Sequence, residues 1–322
     1  MRAVIYGAGA IGGTVAAALH RSGTDVVAIA RGAHLDVIRD QGLRFVAPGI
    51  DERLPVPAVA DPAEIEPGED DAVLLAMKTQ DTAAALQRLS AAGFRDQPVF
   101  CLQNGVENER LAARRFAHVH GVTVMMPASF LQPGEVDVFT VPAFGILDIG
   151  RFPYGVDDAD TAFAAACNAA NIAAFTNERV MATKYGKLLI NLNNVLEATL
   201  GPDQPRGDLP ARIRAEAEAA LDAAGIAWDS VGADDPRRSI YLKLTDLPGI
   251  ARRGGSTLQS LARGTGSVET AYLNGEIAML GAIHGVPTPL NSALVAIAED
   301  LARTGATPGT MTLDALLARL GS

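Results

Sequence analysis

Between Lys184 and Leu196 the chain reads Lys-Tyr-Gly-Lys-Leu-Leu-Ile-Asn-Leu-Asn-Asn-Val-Leu. Lys184, Lys187, Asn191 and Asn194 recur at spacings of three and four, so on a helix they form one polar stripe on otherwise apolar surface. Asparagine is a poor helix former because its amide competes for backbone hydrogen bonds, and two on one face need a reason. A lysine turned into a cleft can stabilise charge developing on an oxygen and then donate a proton to it. An amide one turn away can hold the reacting group in place. The plain alternative is a solvated stripe on a surface helix.

Other polar groups of this kind stand at turns. Lys78 follows an apolar run over residues 71–77, and Asn104 follows one over residues 99–102. Each therefore lies just past the carboxyl end of a strand, the edge at which open parallel sheets bind ligands. A loop residue capping the next helix is the plain reading of either. The opening strand, residues 2–6, runs into Gly7-Ala8-Gly9-Ala10-Ile11-Gly12 and then an alanine-rich helix. That is the context in which GxGxxG signifies dinucleotide binding. Gly7 permits the tight turn, Gly9 lets a pyrophosphate reach the backbone, and Gly12 allows close helix–strand packing. The helix N-terminus at Ala10 and Ile11 offers N–H groups to the anion. After the second strand, residues 25–30, stands Arg31, where an NAD-preferring site carries an acidic residue. A guanidinium suits a 2′-phosphate, so NADP(H) is expected over NAD(H).

Composition bounds these readings. A chain of 322 residues, 48% hydrophobic and 20% charged, reads as a soluble globular protein of about two domains. A net charge of -10 argues against a non-specific nucleic-acid binder. The opening residues carry neither a signal core nor an apolar run long enough for a membrane span. Cys101 and Cys167, the only cysteines, lack CxxC or Cys/His spacing and read as buried reduced thiols of a cytoplasmic protein. His118 and His120 alternate along a strand, but no carboxylate or third histidine stands beside them in sequence, so no metal is expected.

The elements that must position these residues fall into two halves. Strands and helices alternate to about residue 125, and further strands over 127–149 add antiparallel members. A helix over 157–170 and an apolar run at 172–175 complete an α/β domain spanning 1–176. Residues 177–322 read as helices, over 184–196, 209–224, 236–247, 268–284 and 291–303, with one more short helix at the end. The stripe then follows the dinucleotide domain directly and can face the strand ends across an interdomain cleft. The apolar helical half could support a homodimer.

In order and separation, several motifs together resemble those of the ketopantoate reductases over nearly the whole chain. They are the glycine turn, Arg31, Met77-Lys78, Gln103-Asn104-Gly105, Lys187-x-x-x-Asn191, Ser256-x-Leu258-Gln259 and Glu269-x-x-x-x-Asn274-Gly275. The resemblance implies a Rossmann domain and a helical domain similar to the second domain of 6-phosphogluconate dehydrogenases. It also implies NADPH-dependent reduction of 2-dehydropantoate to pantoate, in the route to pantothenate. Lys187 would be the proton donor. Glu269 would bind the substrate hydroxyls, act beside Lys187 and lie near the cofactor. Asn104 would touch cofactor and substrate, Lys78 would sit beside the cofactor, and Asn191 and Ser256 would hold the substrate, with Arg252 or Arg253 as helpers. A second family asparagine would align on Val195, with Asn194 one place away standing in for it.

The sequence departs from the family pattern at Ser260, at Val268 and in a longer Gln259–Glu269 gap containing Gly264-Thr265-Gly266. These changes fall where substrate is selected. Two alternatives follow: a reductase of another bulky 2-keto acid or ketone, or an NADP(H)-binding sensor without turnover.

Overall fold

The computed structural model describes residues 1–252, 254–262 and 268–321. Arg253 and residues 264–266 lie outside the described residues. From the first residues strand and helix alternate: β1 (Arg2–Tyr6), α1 (Ala10–Arg21), β2 (Asp25–Ile29), α2 (Gly32–Gln41), β3 (Leu43–Ala47), β4 (Ile50–Leu54) and β5 (Ala58–Val59). There follow β6 (Asp71–Leu75), α3 (Thr79–Ala91), β7 (Val99–Cys101), α4 (Glu107–Ala113) and β8 (Val119–Met125). Next come β9 (Ala128–Ser129), β10 (Glu135–Val138), β11 (Thr140–Pro142), β12 (Ile146–Arg151), α5 (Asp158–Ala169) and β13 (Ala173–Thr176). The rest is α6 (Val180–Asn191), α7 (Asn194–Leu200), α8 (Leu209–Ala223), α9 (Pro236–Tyr241), β14 (Leu242–Leu244), α10 (Ser256–Ala262), α11 (Asn274–His284), α12 (Pro289–Thr304) and α13 (Leu313–Leu320).

The main sheet has the order β13-β12-β8-β7-β6-β1-β2-β5. The strands from β5 to β8 are mutually parallel, β12 is antiparallel to β8, and β13 is parallel to β12. The chain moves outward from β1 to β2 and β5, then returns to β1's other side with β6. That reversal is a topological switch point, as the alternating pattern requires of a Rossmann-type sheet. β1 is buried on both faces: Ala3 and Ile5 pack with Val15 and Leu19 of α1, while Val4 packs with Leu86 and Leu89 of α3. Burying each of these valine, leucine and isoleucine side chains contributes about 1.5–3 kcal/mol. A second sheet, β4-β3-β10-β9, joins β3 and β4, expected as loose short strands, to β9 and β10, expected as antiparallel additions to the main sheet; β10 instead pairs parallel with β3.

Two compact units emerge, Met1–Lys184 with Ala233–Arg252, and Tyr185–Gly232 with Arg253–Ser322. They differ from the expected division at residue 176 in two ways. The first turns of α6 belong to the α/β unit, and a later segment returns to it. That segment was read as one helix over 236–247. Instead α9 gives way to β14, which pairs antiparallel with β11. Tyr241-Leu242-Lys243-Leu244 has strand alternation that a helical reading passes over.

Three other elements differ from the reading of the sequence. The stretch expected as one strand over 54–59 is interrupted by Pro55 and Pro57, which donate no ladder hydrogen bond. The expected helix over 268–284 begins only at Asn274, after a 3₁₀ turn at Thr270–Tyr272. The expected helix over 184–196 stops at Asn191 and restarts at Asn194.

Candidate active site

In the α/β unit, register fixes which turns share an edge. Tyr6 pairs with Ile29 and with Leu75, and Leu75 pairs with Cys101. The residues that follow, Gly7, Ala30-Arg31, Ala76 to Lys78 and Leu102 to Asn104, therefore emerge along one carboxyl edge. Gly7 has φ +100°, and a Cβ there would meet Met77 N at 2.7 Å. At Gly12 a Cβ would lie 2.0 Å from the Gly7 carbonyl. Both glycines are thus demanded by the turn's own packing. At Gly9, by contrast, a Cβ would meet nothing within 4 Å, so the backbone is open to approach. Gly9 caps α1 without a side-chain hydrogen bond, and the first turn carries no acidic residue. An uncapped helix N-terminus beside an open glycine fits a pyrophosphate.

Arg31 stands at the N-cap of α2, its side chain 86% exposed, with Nη2 3.3 Å from an oxygen of Asp81. An exposed pair of that length contributes about 0–1 kcal/mol, so the guanidinium is available to a phosphate. Lys78 is the N-cap of α3.

Asn104 sits on a polar network that sequence reading missed. The Gln103 amide donates to Thr82 Oγ1 (3.1 Å), which donates to Asn108 Oδ1 (2.8 Å). Asn108 Nδ2 donates in turn to Thr79 Oγ1 and to the Asn104 carbonyl, each at 3.2 Å. Gln103, Thr82, Asn108 and Thr79 are all buried. Gln103 Oε1 accepts no hydrogen bond, but the other bonds of this buried network tie together the turns bearing Lys78 and Asn104.

Lys184, first of the proposed stripe, belongs to this unit and is buried. Its ammonium donates to the carbonyls of Cys101 (3.2 Å) and Gln103 (3.1 Å) and to the carboxylate of Glu109. Burial pushes the Glu109 carboxyl up, against the pull of Lys184, and also pushes the Cys101 thiol up. Lys184 is therefore a tie beneath the Asn104 turn and not a member of a solvent-facing stripe. Cys101 and Cys167 are free and buried.

His120 does find carboxylates, contrary to the sequence expectation. Asp157 and Asp160 come within 4.8 Å of it from a distant part of the chain. Their oxygens are already used, however. Asp157 accepts from the backbone of Ala159 and Asp160, Asp160 accepts from Asp157 N, and His120 Nδ1 lies 2.7 Å from Asp160 Oδ1. The cluster caps α5.

In the helical unit, Lys187 and the buried Asn191 lie one turn apart on α6. Gly186, immediately before Lys187, is forced, since a Cβ would sit 1.8 Å from the Asp229 carbonyl. The break after Asn191 is held by Asn274, whose Nδ2 donates to the Leu192 carbonyl (3.3 Å) and to Asn291 Oδ1 (3.0 Å). Because of the break, Asn194 starts α7 and is no longer one helical step along the stripe. Its Nδ2 lies 3.4 Å from Ser256 Oγ, bringing together two residues singled out from sequence. Glu197, which sequence reading missed, accepts from Gly255 N at 3.0 Å and so holds the turn leading into Ser256. Glu269 is the N-cap of the turn Thr270–Tyr272 and accepts from Tyr272 N at 2.8 Å through its carbonyl. Ser260 and Val268, the departures from the family pattern, are both buried.

Two family models match this chain in tandem. Ketopantoate reductase PanE/ApbA covers residues 3–153, and the C-terminal part of the same family covers 179–302. The chain belongs to the ketopantoate reductase family. It is thus an oxidoreductase acting between CH–OH and C=O groups, which removes the support for a sensor without turnover.

Its relatives agree at different lengths. A 2-dehydropantoate 2-reductase of Mesorhizobium japonicum is 41% identical over 107 residues, 33% of this chain and 32% of that protein. A ketopantoate reductase family structure from Ralstonia eutropha JMP134 is similar over 95% of this chain and 99% of its own, with TM-score 0.80 and 28% identity. D-mandelate dehydrogenase with NADH and anilino(oxo)acetate shares the fold over 95% of this chain and 99% of its own, with TM-score 0.79 and 23% identity. Among the described residues no helix is long and apolar enough to cross a membrane.

Proposed function

We propose that this ketopantoate reductase family member uses NADPH to reduce 2-dehydropantoate to pantoate. The observation that carries the reading is the open Gly9 turn on the same sheet edge as Lys78 and Asn104. It occurs in a chain whose two halves both match the family. Gly7, Gly9, Ala10, Ile11 and Gly12 cradle the pyrophosphate, Arg31 takes the 2′-phosphate, and Lys78, Asn104 and Glu269 complete the cofactor's surroundings. When bound, NADPH would supply the hydride that reduces the keto carbon. Lys187 stabilises the developing alkoxide and gives it a proton, a role worth about 10²–10⁴ in rate. Glu269, acceptor-only when ionised, takes the substrate hydroxyls and acts beside Lys187. Asn104, Asn191, Asn194 and Ser256 hold the substrate. The buried free thiols suit a cytoplasmic enzyme. A homodimer through the helical half is part of the same proposal, and light scattering tests it.

Buried Ser260 and Val268 favour a second reading, reduction of a different bulky 2-keto acid with the same machinery. The likeness to a mandelate dehydrogenase fold is compatible with it. Steady-state NADPH oxidation with 2-dehydropantoate and a panel of 2-keto acids decides. A kcat/KM for 2-dehydropantoate far below that of another keto acid establishes the second reading.

A further inference from the structure

His34, on α2, touches the glycine turn in a way neither the motif nor the family model assigns. Its Nε2 is 2.7 Å from the Ala8 carbonyl, and the backbone N–H of Gly134 points at its Nδ1 from 2.8 Å. Gly134 N can only donate, so Nδ1 must accept and hold no proton. Nε2 therefore carries the hydrogen and donates to Ala8. Both ring nitrogens are used, and only the neutral ring with that one tautomer satisfies both partners. The ring also packs on Phe130, centroids 4.4 Å apart.

The Ala8 carbonyl belongs to the same planar trans peptide as Gly9 N, so the C=O and N–H point in opposite directions. Whatever fixes the one aims the other. Gly9 is the position whose backbone stands open. We propose that His34 is a positioning residue of the dinucleotide site, a neutral relay from Gly134 N–H to the Ala8 carbonyl that sets the Gly9 amide for its anion. The inference rests on reading the glycine turn as a dinucleotide site.

Protonating the ring puts a second N–H against that of Gly134 and breaks the relay. Burial holds the His34 pKa below the usual histidine range, while the Ala8 bond works the other way. On the packed elements the charged groups include Arg31 at the N-cap of α2, Asp36, Arg39 and Asp40 within it, and Glu135 of β10; Arg39 pairs with Glu64, and Asp40 is exposed. Arg31 pairs with Asp81, Glu135 pairs with Arg44, and Asp36 is exposed.

Two measurements test this. Long-range ¹H–¹⁵N NMR of the full-length protein should show His34 protonated on Nε2 alone, and still so at about pH 6, where a free imidazole is largely charged. Fluorescence titration with NADPH should show a dissociation constant raised about fivefold or more in His34→Ala, the order expected when a buried acceptor loses its donor. His34→Gln, whose amide nitrogen can replace Nε2–H, should bind nearly as wild type, with kcat unchanged in both variants. A proton on Nδ1, or NADPH binding by His34→Ala equal to that of a binding-competent wild type, overturns the inference. Failure of the wild type to bind NADPH at all also overturns it by removing the dinucleotide reading. That case is distinguished by a ring tautomer that still comes out as stated.

Discussion

At the scale of single residues, the candidate chemistry divides between groups that would act on ligands and groups that hold them in place. Lys187 is the first kind. Lys187→Ala should leave the NADPH dissociation constant unchanged and lower kcat about 10²-fold or more, as loss of a general acid does. Pre-steady-state and steady-state rates read this directly, and near wild-type turnover would move the proton donor elsewhere. Arg31 tests cofactor choice. Arg31→Ala should raise KM for NADPH and leave KM for NADH unchanged. Asp81→Asn, which frees the guanidinium from its 3.3 Å partner, should lower KM for NADPH. Equal shifts for both cofactors in Arg31→Ala would show that it does not read the 2′-phosphate. Lys184 is the second kind. It looked equivalent to Lys187 on the stripe, yet its ammonium is spent on Cys101, Gln103 and Glu109. No spacing rule separates two lysines three residues apart. Only the partner from a helix far along the chain does.

At the scale of elements, the ion pair of Lys184 and Glu109 joins α6 to α4 and to the end of β7 within one unit. Removing one member of a buried pair leaves the other charge uncompensated, so Lys184→Met should cost about 3–5 kcal/mol in urea unfolding. Adding Glu109→Leu to it should recover a large part. A double variant no better than the single one would show that the lost carbonyl bonds matter more than the charge. Elements carrying one strong period were legible in the sequence. β1, β6 and β7 are largely apolar runs buried on both faces, and the glycine turn follows from backbone sterics alone. Illegible were the places where a distant side chain decides. The break between α6 and α7 depends on Asn274, 82 residues from the carbonyl it satisfies. The turn before Ser256 depends on Glu197, 58 residues from the amide it accepts. The second sheet depends on β3 and β10, far apart in sequence, finding each other in parallel.

At the scale of the whole chain, the α/β unit is assembled from two separate stretches. Ala233–Arg252 returns to it, β14 pairs with β11, and Arg237 reaches Asp148 with Nη2 3.1 Å from Oδ2. Burial pushes the Asp148 carboxyl up while Arg237 draws it down. Arg237 also packs over the Phe175 ring at 5.0 Å. A fragment ending at Lys184 lacks all of this and leaves Asp148 buried without its cation, a situation costing several kcal/mol. Such a fragment should unfold at markedly lower urea concentration than one in which residues 233–252 are rejoined through a flexible linker. Equal midpoints would show the returning segment to be a passenger. The same arrangement bears on how this scaffold can be recombined. Exchanging its helical half for that of a relative with different keto-acid preference takes two cassettes, 185–232 and 253–322, with the native 233–252 kept between them. A chimera made at a single junction would set a foreign strand against Thr140–Pro142. Its loss of activity would then report a mismatched seam and say nothing about substrate choice.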